Sequence, residues 1–327
     1  MAFAIEARKL TKIYDGKTKA LDGVDLRVNP AEVFALLGPN GSGKTTLIRI
    51  LTTQFKPTSG EAHSFGLDVV ERGRDVRKII GYVPQETSVW ADISGFENLL
   101  IYSKIYGVPP SRRKKSIQDA LSRMGLEEMA NRMVKTYSGG MVRRLEIACA
   151  LLVKPKILFL DEPTIGLDPS ARKAVWENLT SFKKEYGTTI FFNTHYMDEA
   201  DLYSDEIAII NRGKIVKSGT PSELKHSLRS EILQFHLNHT NSNHDGTDGI
   251  GEVVLKAVKN LAFVRDAVLS DSRLDVFVED GESALPLIVE ALRSGGVPIE
   301  RISTKRPTLD DVFLKYVGTL QSGRGEK

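Results

Sequence analysis

The run Gly38-Pro39-Asn40-Gly41-Ser42-Gly43-Lys44-Thr45-Thr46 carries the plainest chemistry in this sequence. It fits G-x-x-x-x-G-K-[ST], the pattern of a phosphate-binding loop. Consecutive backbone N–H groups in such a loop wrap the phosphates of a nucleotide, and glycines remove the Cβ atoms that would block the approach. Lys44 supplies positive charge to the outer phosphates, and the Thr45 hydroxyl is a Mg²⁺ ligand. A glycine-rich turn with a surface lysine would leave the flanks unexplained. Val33-Phe34-Ala35-Leu36-Leu37 reads as a buried strand entering the loop, and Leu47-Ile48-Arg49-Ile50-Leu51 as the helix leaving it.

Three further groups join it. Ile157-Leu158-Phe159-Leu160 is a continuous apolar run, as in a strand buried on both faces, and it ends in Asp161-Glu162. Carboxylates at the end of such a strand sit where α/β sheets bind ligands. Asp161 is placed to hold Mg²⁺ through water, and Glu162 to activate an attacking water. A third apolar run, Thr188 to Thr194, ends at His195, a candidate γ-phosphate ligand in this frame and otherwise a structural histidine. Ser138-Gly139-Gly140 precedes an apolar helical segment. It reads either as a simple N-cap or as a second anion site at a helix N-terminus.

The elements that must position these groups follow in order. Phe3 to Ala7, Leu10 to Tyr14 and Leu21 to Val28 alternate like three antiparallel strands. Tyr14 is then either sheet packing or a platform for a purine base. Gly81-Tyr82-Val83-Pro84-Gln85 reads as a strand ending in polar Gln85. Residues 87–150 are helical in pattern, with one helix over 96–106 and another opening at Ser111 as N-cap, before the basic run Arg112-Arg113-Lys114-Lys115. That run is either a solvated face or a surface for an acidic partner or membrane. Gly166-Leu167-Asp168-Pro169 turns into a helix over 170–185, and Ile207 to Lys217 reads as a hairpin.

Composition shifts after about Leu228. His236, His239 and His244 fall in or beside a polar segment with no metal-site spacing, which reads as a solvated loop. Beyond it the pattern is strand 231–238, helix 251–261, strand 263–270, strand 273–279, helix 283–294, strand 297–303. That βαββαβ order is ferredoxin-like. A last helix follows Pro307. Two domains are thus expected, 1–225 and 226–327, with a helical subdomain at about 87–150 and the second domain regulatory or an assembly surface.

Bulk properties exclude several classes. A net charge of +3 over 327 residues argues no nucleic-acid role by itself. One cysteine, Cys149, rules out an intrachain disulfide framework and reads as an inert core thiol in a reducing compartment. No signal peptide is visible, and no apolar run is long enough to span a bilayer. Work at a membrane would need another chain to cross it.

Assembled, the first 225 or so residues resemble the ATP-binding subunit of ABC transporters. Residues 38–46 look like Walker A, Gln85 like the Q-loop glutamine, and Tyr137-Ser138-Gly139-Gly140-Met141 like the signature. Residues 157–162 look like Walker B with its catalytic glutamate, Gly166-Leu167-Asp168 like the D-loop, and His195 like the switch histidine. Tyr14 falls where the family stacks adenine. The signature departs from Leu-Ser-Gly-Gly-Gln at Tyr137 and Met141. More narrowly, Tyr-Ser-Gly-Gly-Met, Thr194-His-Tyr-Met-Asp-Glu-Ala200 and Arg306-Pro-Thr-Leu-Asp-Asp-Val-Phe-Leu314 resemble the daunorubicin-resistance type, which pairs with a separate ABC-2 export permease.

The resemblance implies a P-loop NTPase fold of ABC type: a parallel core sheet, an antiparallel β-subdomain and a helical subdomain, followed by the ferredoxin-like domain. It implies ATP hydrolysis coupled to export, with Lys44, Glu162 and His195 catalytic. ATP contacts would come from Tyr14, residues 38–46, Gln85, Asp168 and Ser138-Gly139-Gly140, and Mg²⁺ contacts from Thr45, Gln85 and Asp161. It further implies a head-to-tail ATP sandwich homodimer, peripheral on the cytoplasmic face of the membrane, with no nucleic acid expected. The competing reading is a soluble ABC ATPase acting on nucleic acid or ribosomes. Against it stand the single P-loop and the absence of sustained heptads between Walker A and the signature. A nucleotide-sensing scaffold without turnover is disfavoured by Glu162 and His195.

Overall fold

The computed structural model describes residues 2–228, 231–237, 255, 258–270, 273–294, 297–305 and 307–318. They divide into two compact units, one made of the residues up to Pro221 together with those from Tyr316 on, the other running from Ser222 to Lys315. In chain order the first holds β1 (Ile5–Tyr14), β2 (Thr18–Val28), β3 (Val33–Leu37), α1 (Lys44–Leu51), β4 (Ser59–Ser64), β5 (Leu67–Asp68), α2 (Gly73–Ile79) and β6 (Ile80–Val83). Then come α3 (Gly95–Ile105), α4 (Pro110–Arg123), a 3₁₀ turn (Val134–Thr136), α5 (Gly139–Leu151), β7 (Ile157–Asp161), α6 (Pro169–Tyr186), β8 (Thr189–Thr194), α7 (Met197–Tyr203), β9 (Glu206–Asn211) and β10 (Lys214–Gly219).

Among the described residues the core sheet has the order β10-β9-β3-β8-β7-β6, parallel throughout except for the β9–β10 hairpin. Every residue of β3, β7 and β8 is buried, which is why these segments read as unbroken apolar runs. Phe34, Phe191 and Phe159 are cross-strand neighbours on β3, β8 and β7. Their rings pack at 5.4 and 5.6 Å. A slip of one residue would turn all three to the other face, so this ladder pins the register. It aligns Leu37 with Thr194 and Asp161 with Asn193. The residues that follow the three strands therefore emerge together at one edge.

A second sheet, β2-β1-β4-β5, is antiparallel. The two strands expected over residues 3–14 are one strand. β1 continues through irregular register between Ala7 and Leu10, where Lys9 takes φ +46°. The bulge spoils the alternation locally, and so mimics a turn in the sequence. Residues 87–150 are helical as expected, with one boundary corrected. α3 opens with a capping box between Ser94 and Glu97. α4 starts at Pro110, with Pro109 in the cap position, so Ser111 lies inside the helix and caps nothing. Proline suits a first helical position because the N–H it lacks would have no partner there.

The second unit carries α8 (Pro221–His226, opening at the boundary), β11 (Glu231–Leu237), β12 (Val264–Ser270), β13 (Arg273–Val278), α9 (Gly281–Ser294), β14 (Ile299–Lys305) and α10 (Leu309–Phe313), and a π turn (Leu314–Gly318) spans its end at Lys315. Its sheet order β12-β13-β11-β14 is antiparallel, as in a ferredoxin-like fold. One face packs Leu233, Phe235, Leu274 and Val276 with Ile288 and Leu292 of α9. His239, His244 and six of the eleven residues of the expected helix 251–261 lie outside the described residues. No described helix is long and apolar enough to cross a membrane.

Candidate functional site

The site grows from the strand ends at that edge of the core sheet. After β3 the chain wraps through residues 38–46 into α1. Gly41 and Gly43 adopt φ +75° and +109°, conformations that L-residues rarely take. The glycines also serve a purpose not foreseen from the pattern. A Cβ on Gly38 would strike the Ile210 carbonyl and Ser42 Oγ, and one on Gly43 would lie 2.5 Å from the Ala20 carbonyl. These two therefore let the loop pack against the protein's own backbone, besides leaving the loop's N–H groups uncovered. Lys44 is buried, and its Nζ donates to the carbonyls of Gly38 at 2.6 Å and Pro39 at 3.1 Å. Burial pulls its pKa below the usual lysine range, and the charges of Glu162 and Asp161 act against that pull.

The two carboxylates differ in setting. Asp161 is 1% exposed; Oδ1 accepts from Asn193 Nδ2 at 2.7 Å, while Oδ2 is buried with no donor. An acceptor-only oxygen left bare inside a protein is costly, and a cation is the partner that relieves it. The residues present thus fit a nucleotide with a divalent cation. Glu162 takes φ +54°, unusual for a residue with a side chain. Its N–H donates to Asn193 Oδ1 at 2.8 Å, and its Oε2 lies 2.8 Å from His195 Nδ1. The His195 side chain remains half exposed. Backbone strain of this kind persists where neighbours over-determine it.

The neighbour that does so was not visible beforehand. Arg143, buried in α5, spends all five of its N–H groups. Nη2 donates to the carbonyls of Asp161 at 2.6 Å and Glu162 at 3.0 Å, and Nε to that of Pro163 at 3.0 Å. Nη1 donates to the Pro84 carbonyl at 2.6 Å and to Glu146 Oε2 at 3.0 Å. Glu146 Oε1 in turn accepts from the N–H and hydroxyl of Ser88. One guanidinium therefore joins α5, the segment after β6 and the end of β7. A charged pair three residues apart in a buried helix was the available signal, as was polar Asn193 in an apolar strand.

Of the expected site residues, Lys44, Asp161, Glu162 and His195 come together. Thr46 lies 3.4 Å, Oγ1 to hydroxyl, from Tyr14, whose ring meets Phe55 edge-on. Pro39 and Thr45 are partly buried in the loop, while Asn40 is exposed. Gln85 is exposed, two residues past β6, which ends at Val83 and not at Gln85. Ser138 caps α5 by accepting from the Met141 N–H at 3.3 Å. Asp168 caps α6 by accepting from that of Ala171 at 2.9 Å. A Cβ on Gly140 would approach Leu167 to 3.2 Å, so the Ser-Gly-Gly turn packs beside the 166–168 turn. Among the described residues, no hydrogen bond joins Ser138, Gly139 or Gly140 to residues 38–46. Tyr137 donates to the Met129 carbonyl at 2.6 Å, and its hydroxyl fills the space that a side chain at Gly95 would take. Cys149 is buried, and burial raises its thiol far above the usual cysteine value.

Comparison with known proteins gives matches of family and fold. Residues 21–165 match the family described as ABC transporter, and residues 219–317 match the family described as ATP-binding protein DrrA1-3-like, C-terminal domain. The chain is similar to the daunorubicin/doxorubicin resistance ATP-binding protein DrrA of Streptomyces peucetius, at 38% identity over 96% of this chain and 92% of that one. It is similar to the linearmycin resistance ATP-binding protein LnrL of Bacillus subtilis, at 31% identity over 96% and 98%. Among solved structures it resembles cbiO1 from Clostridium perfringens, part of the ABC transporter complex cbiONQ (TM-score 0.64, 30% identity, 70% of this chain and 94% of that one). It also resembles the dimeric ATP-binding cassette MJ0796 bound to ADP and Pi in a post-hydrolysis state (TM-score 0.60, 28% identity, 66% and 98%).

Proposed function

The chain belongs to the ABC transporter ATP-binding family, and from that premise we propose that it is the ATP-hydrolysing subunit of an ABC-2-type exporter, powering efflux through a separate membrane permease. The observation that carries the catalytic reading is the 2.8 Å pairing of Glu162 with His195 beside Lys44, at the ends of three adjacent parallel strands. The names of the relatives point to antibiotic-like molecules as the exported class. None of these relatives supports the nucleic-acid or ribosome reading.

In this reading residues 38–46 cradle the phosphates through backbone N–H groups, and Lys44 shifts its ammonium from the Gly38 and Pro39 carbonyls toward them. Tyr14 offers its ring to the base. Thr45, Gln85 and Asp161 hold Mg²⁺, which offsets charge on the phosphates when bound. Glu162 accepts the proton of the attacking water on its carboxylate. His195 steadies that carboxylate from one side and reaches toward the outer phosphate from the other.

The second half of the site comes from another copy. Exposed Ser138 and Gly139, with Gly140, meet the phosphates held by residues 38–46 of the partner subunit, and Asp168 completes the contact. The dimeric state of the MJ0796 cassette supports this arrangement. The ATPase domain is residues 1–225, with a helical subdomain at about 87–150 facing the permease at the cytoplasmic side of the membrane, and residues 226–327 are an accessory domain. Glu162→Gln keeps the shape and removes the base. The variant is expected to bind ATP as the parent does and to lose turnover by about a hundredfold or more. Hydrolysis near the parental rate would overturn the assignment.

A further inference from the structure

We propose that Glu199 is a positioning residue for the hydrolytic pair, tying the segment that follows β7 to the turn that carries His195. The inference rests on the ATPase reading above. Glu199 is 1% exposed on α7. Taking a carboxylate out of water costs several kcal/mol unless it is paired, so its partners disclose its purpose. Oε1 accepts from the hydroxyl of Thr164, two residues beyond Glu162. Oε2 accepts from the hydroxyl of Thr194, the residue before His195, at 3.1 Å. Arg172 Nε, in the first turn of α6, lies 3.4 Å from Oε1. The Arg172 guanidinium covers the ring of Tyr196, the residue after His195, at 3.9 Å.

The alternative is a carboxylate that serves only its own helix. Glu199 is the third residue of α7, where an acid ordinarily reaches back to the N–H of the cap residue. It does not do so. The Tyr196 N–H donates to Thr194 Oγ1 at 3.0 Å, and both Glu199 oxygens point to other elements. Thr194 is thereby locked on two sides, accepting from Tyr196 and donating to Glu199, with His195 held between. Thr164 fixes the other strand end to the same carboxylate. The 2.8 Å contact between Glu162 and His195 is the geometry that this bracket sets.

The test is a double-mutant cycle on the full-length chain, read as single-turnover ATP hydrolysis alongside ATP affinity and melting temperature. Glu199→Leu removes both acceptors, and is expected to lower the hydrolysis rate about tenfold or more with ATP affinity within about threefold of the parent. Glu199→Gln, which can still bridge the two hydroxyls, should recover most of that loss. In a His195→Ala background the same Glu199→Leu change should cost no more than about twofold, because the group it positions is gone. If Glu199→Leu does not fold, Thr164→Val removes one leg of the bracket and should give a smaller loss that also vanishes in the His195→Ala background. Equal losses in both backgrounds, or a loss that tracks ATP affinity, would overturn the positioning role and leave the ATPase reading intact. A His195→Ala variant with parental turnover would also overturn the positioning role, whereas only a parent chain that hydrolyses no ATP would overturn the ATPase reading.

Discussion

Arg143 offers the sharpest test of how this site is held. Arg143→Met keeps an unbranched apolar stem and removes every side-chain N–H. Four carbonyls, the buried ones of Asp161, Glu162 and Pro163 and the partly buried one of Pro84, then lose a charged donor. Glu146, 3% exposed, loses its cation and keeps only Ser88. Breaking a buried pair by removing one partner costs about 3–5 kcal/mol. A unit of this size melts about 2–4 °C lower per kcal/mol, so the expected shift is about 6–20 °C. Glu162 also loses one of the contacts that hold it at φ +54°, and misplacing a base by an ångström costs about a hundredfold in rate. The assay pairs differential scanning calorimetry with ATP turnover at saturating nucleotide. Arg143→Lys retains charge at a single point and should fall between parent and Met variant. Adding Glu146→Met to Arg143→Met should not destabilise further, since an apolar pair replaces an orphaned charge. A melting shift under about 3 °C with turnover within about twofold of the parent would refute the claim that this guanidinium holds the strand ends together.

Other expectations follow from the same contacts. In the proposed reading Lys44→Ala removes a charged phosphate donor, worth about 1.5–3 kcal/mol, and should weaken ATP binding about 10- to 100-fold by equilibrium titration. Gly43→Ala forces a Cβ against the Ala20 carbonyl at φ +109°; it should destabilise the first unit by at least about 1–3 kcal/mol and abolish ATP binding, seen by calorimetry and titration. Burial lifts the Glu199 carboxyl above its ordinary value of 4.5, against the pull of the Thr164 and Thr194 hydroxyls and Arg172. The native state therefore keeps this proton to higher pH than the unfolded state does, and the stability tied to it is complete below pH 4.5 and lost as pH rises through the native value. Glu199→Gln has no such loss, so its melting temperature should gain on the parent as pH rises above 4.5. A difference that stays flat with pH would contradict this.

The residues that touch nucleotide in the proposed reading were legible because their chemistry depends on short, ordered spacings: the loop before α1, the carboxylates closing β7, the histidine closing β8. The buried strands were legible from apolar runs, and the second unit from its alternation of strands and helices. What escaped is what depends on distance in space. Arg143 reads in the sequence as a charge near the start of a largely apolar helix, and only the packing of α5 against two strand ends shows what it holds. Glu199 stands in the first turn of α7, and the hydroxyls of two threonines from other elements draw its carboxylate away from the helix end. Lys9 broke an alternation that β1 carries straight through as a bulge. Ser111 matched a capping preference that Pro110 had already pre-empted by a fixed φ. Tyr137 stood out as a departure from the usual signature, and its hydroxyl has a use, bonding the Met129 carbonyl.

The guanidinium of Arg143 is indifferent to side-chain identity at four of its five contacts, because it addresses main-chain oxygens. A substitution at 161, 162 or 163 changes the chemistry of the strand end without loosening the grip on it. Chemistry and chassis are therefore separately editable in this subunit. In the proposed reading, a copy that lost Glu162 would still carry its Ser-Gly-Gly turn in register, keeping its hold on nucleotide while losing turnover, provided that Arg143 stays.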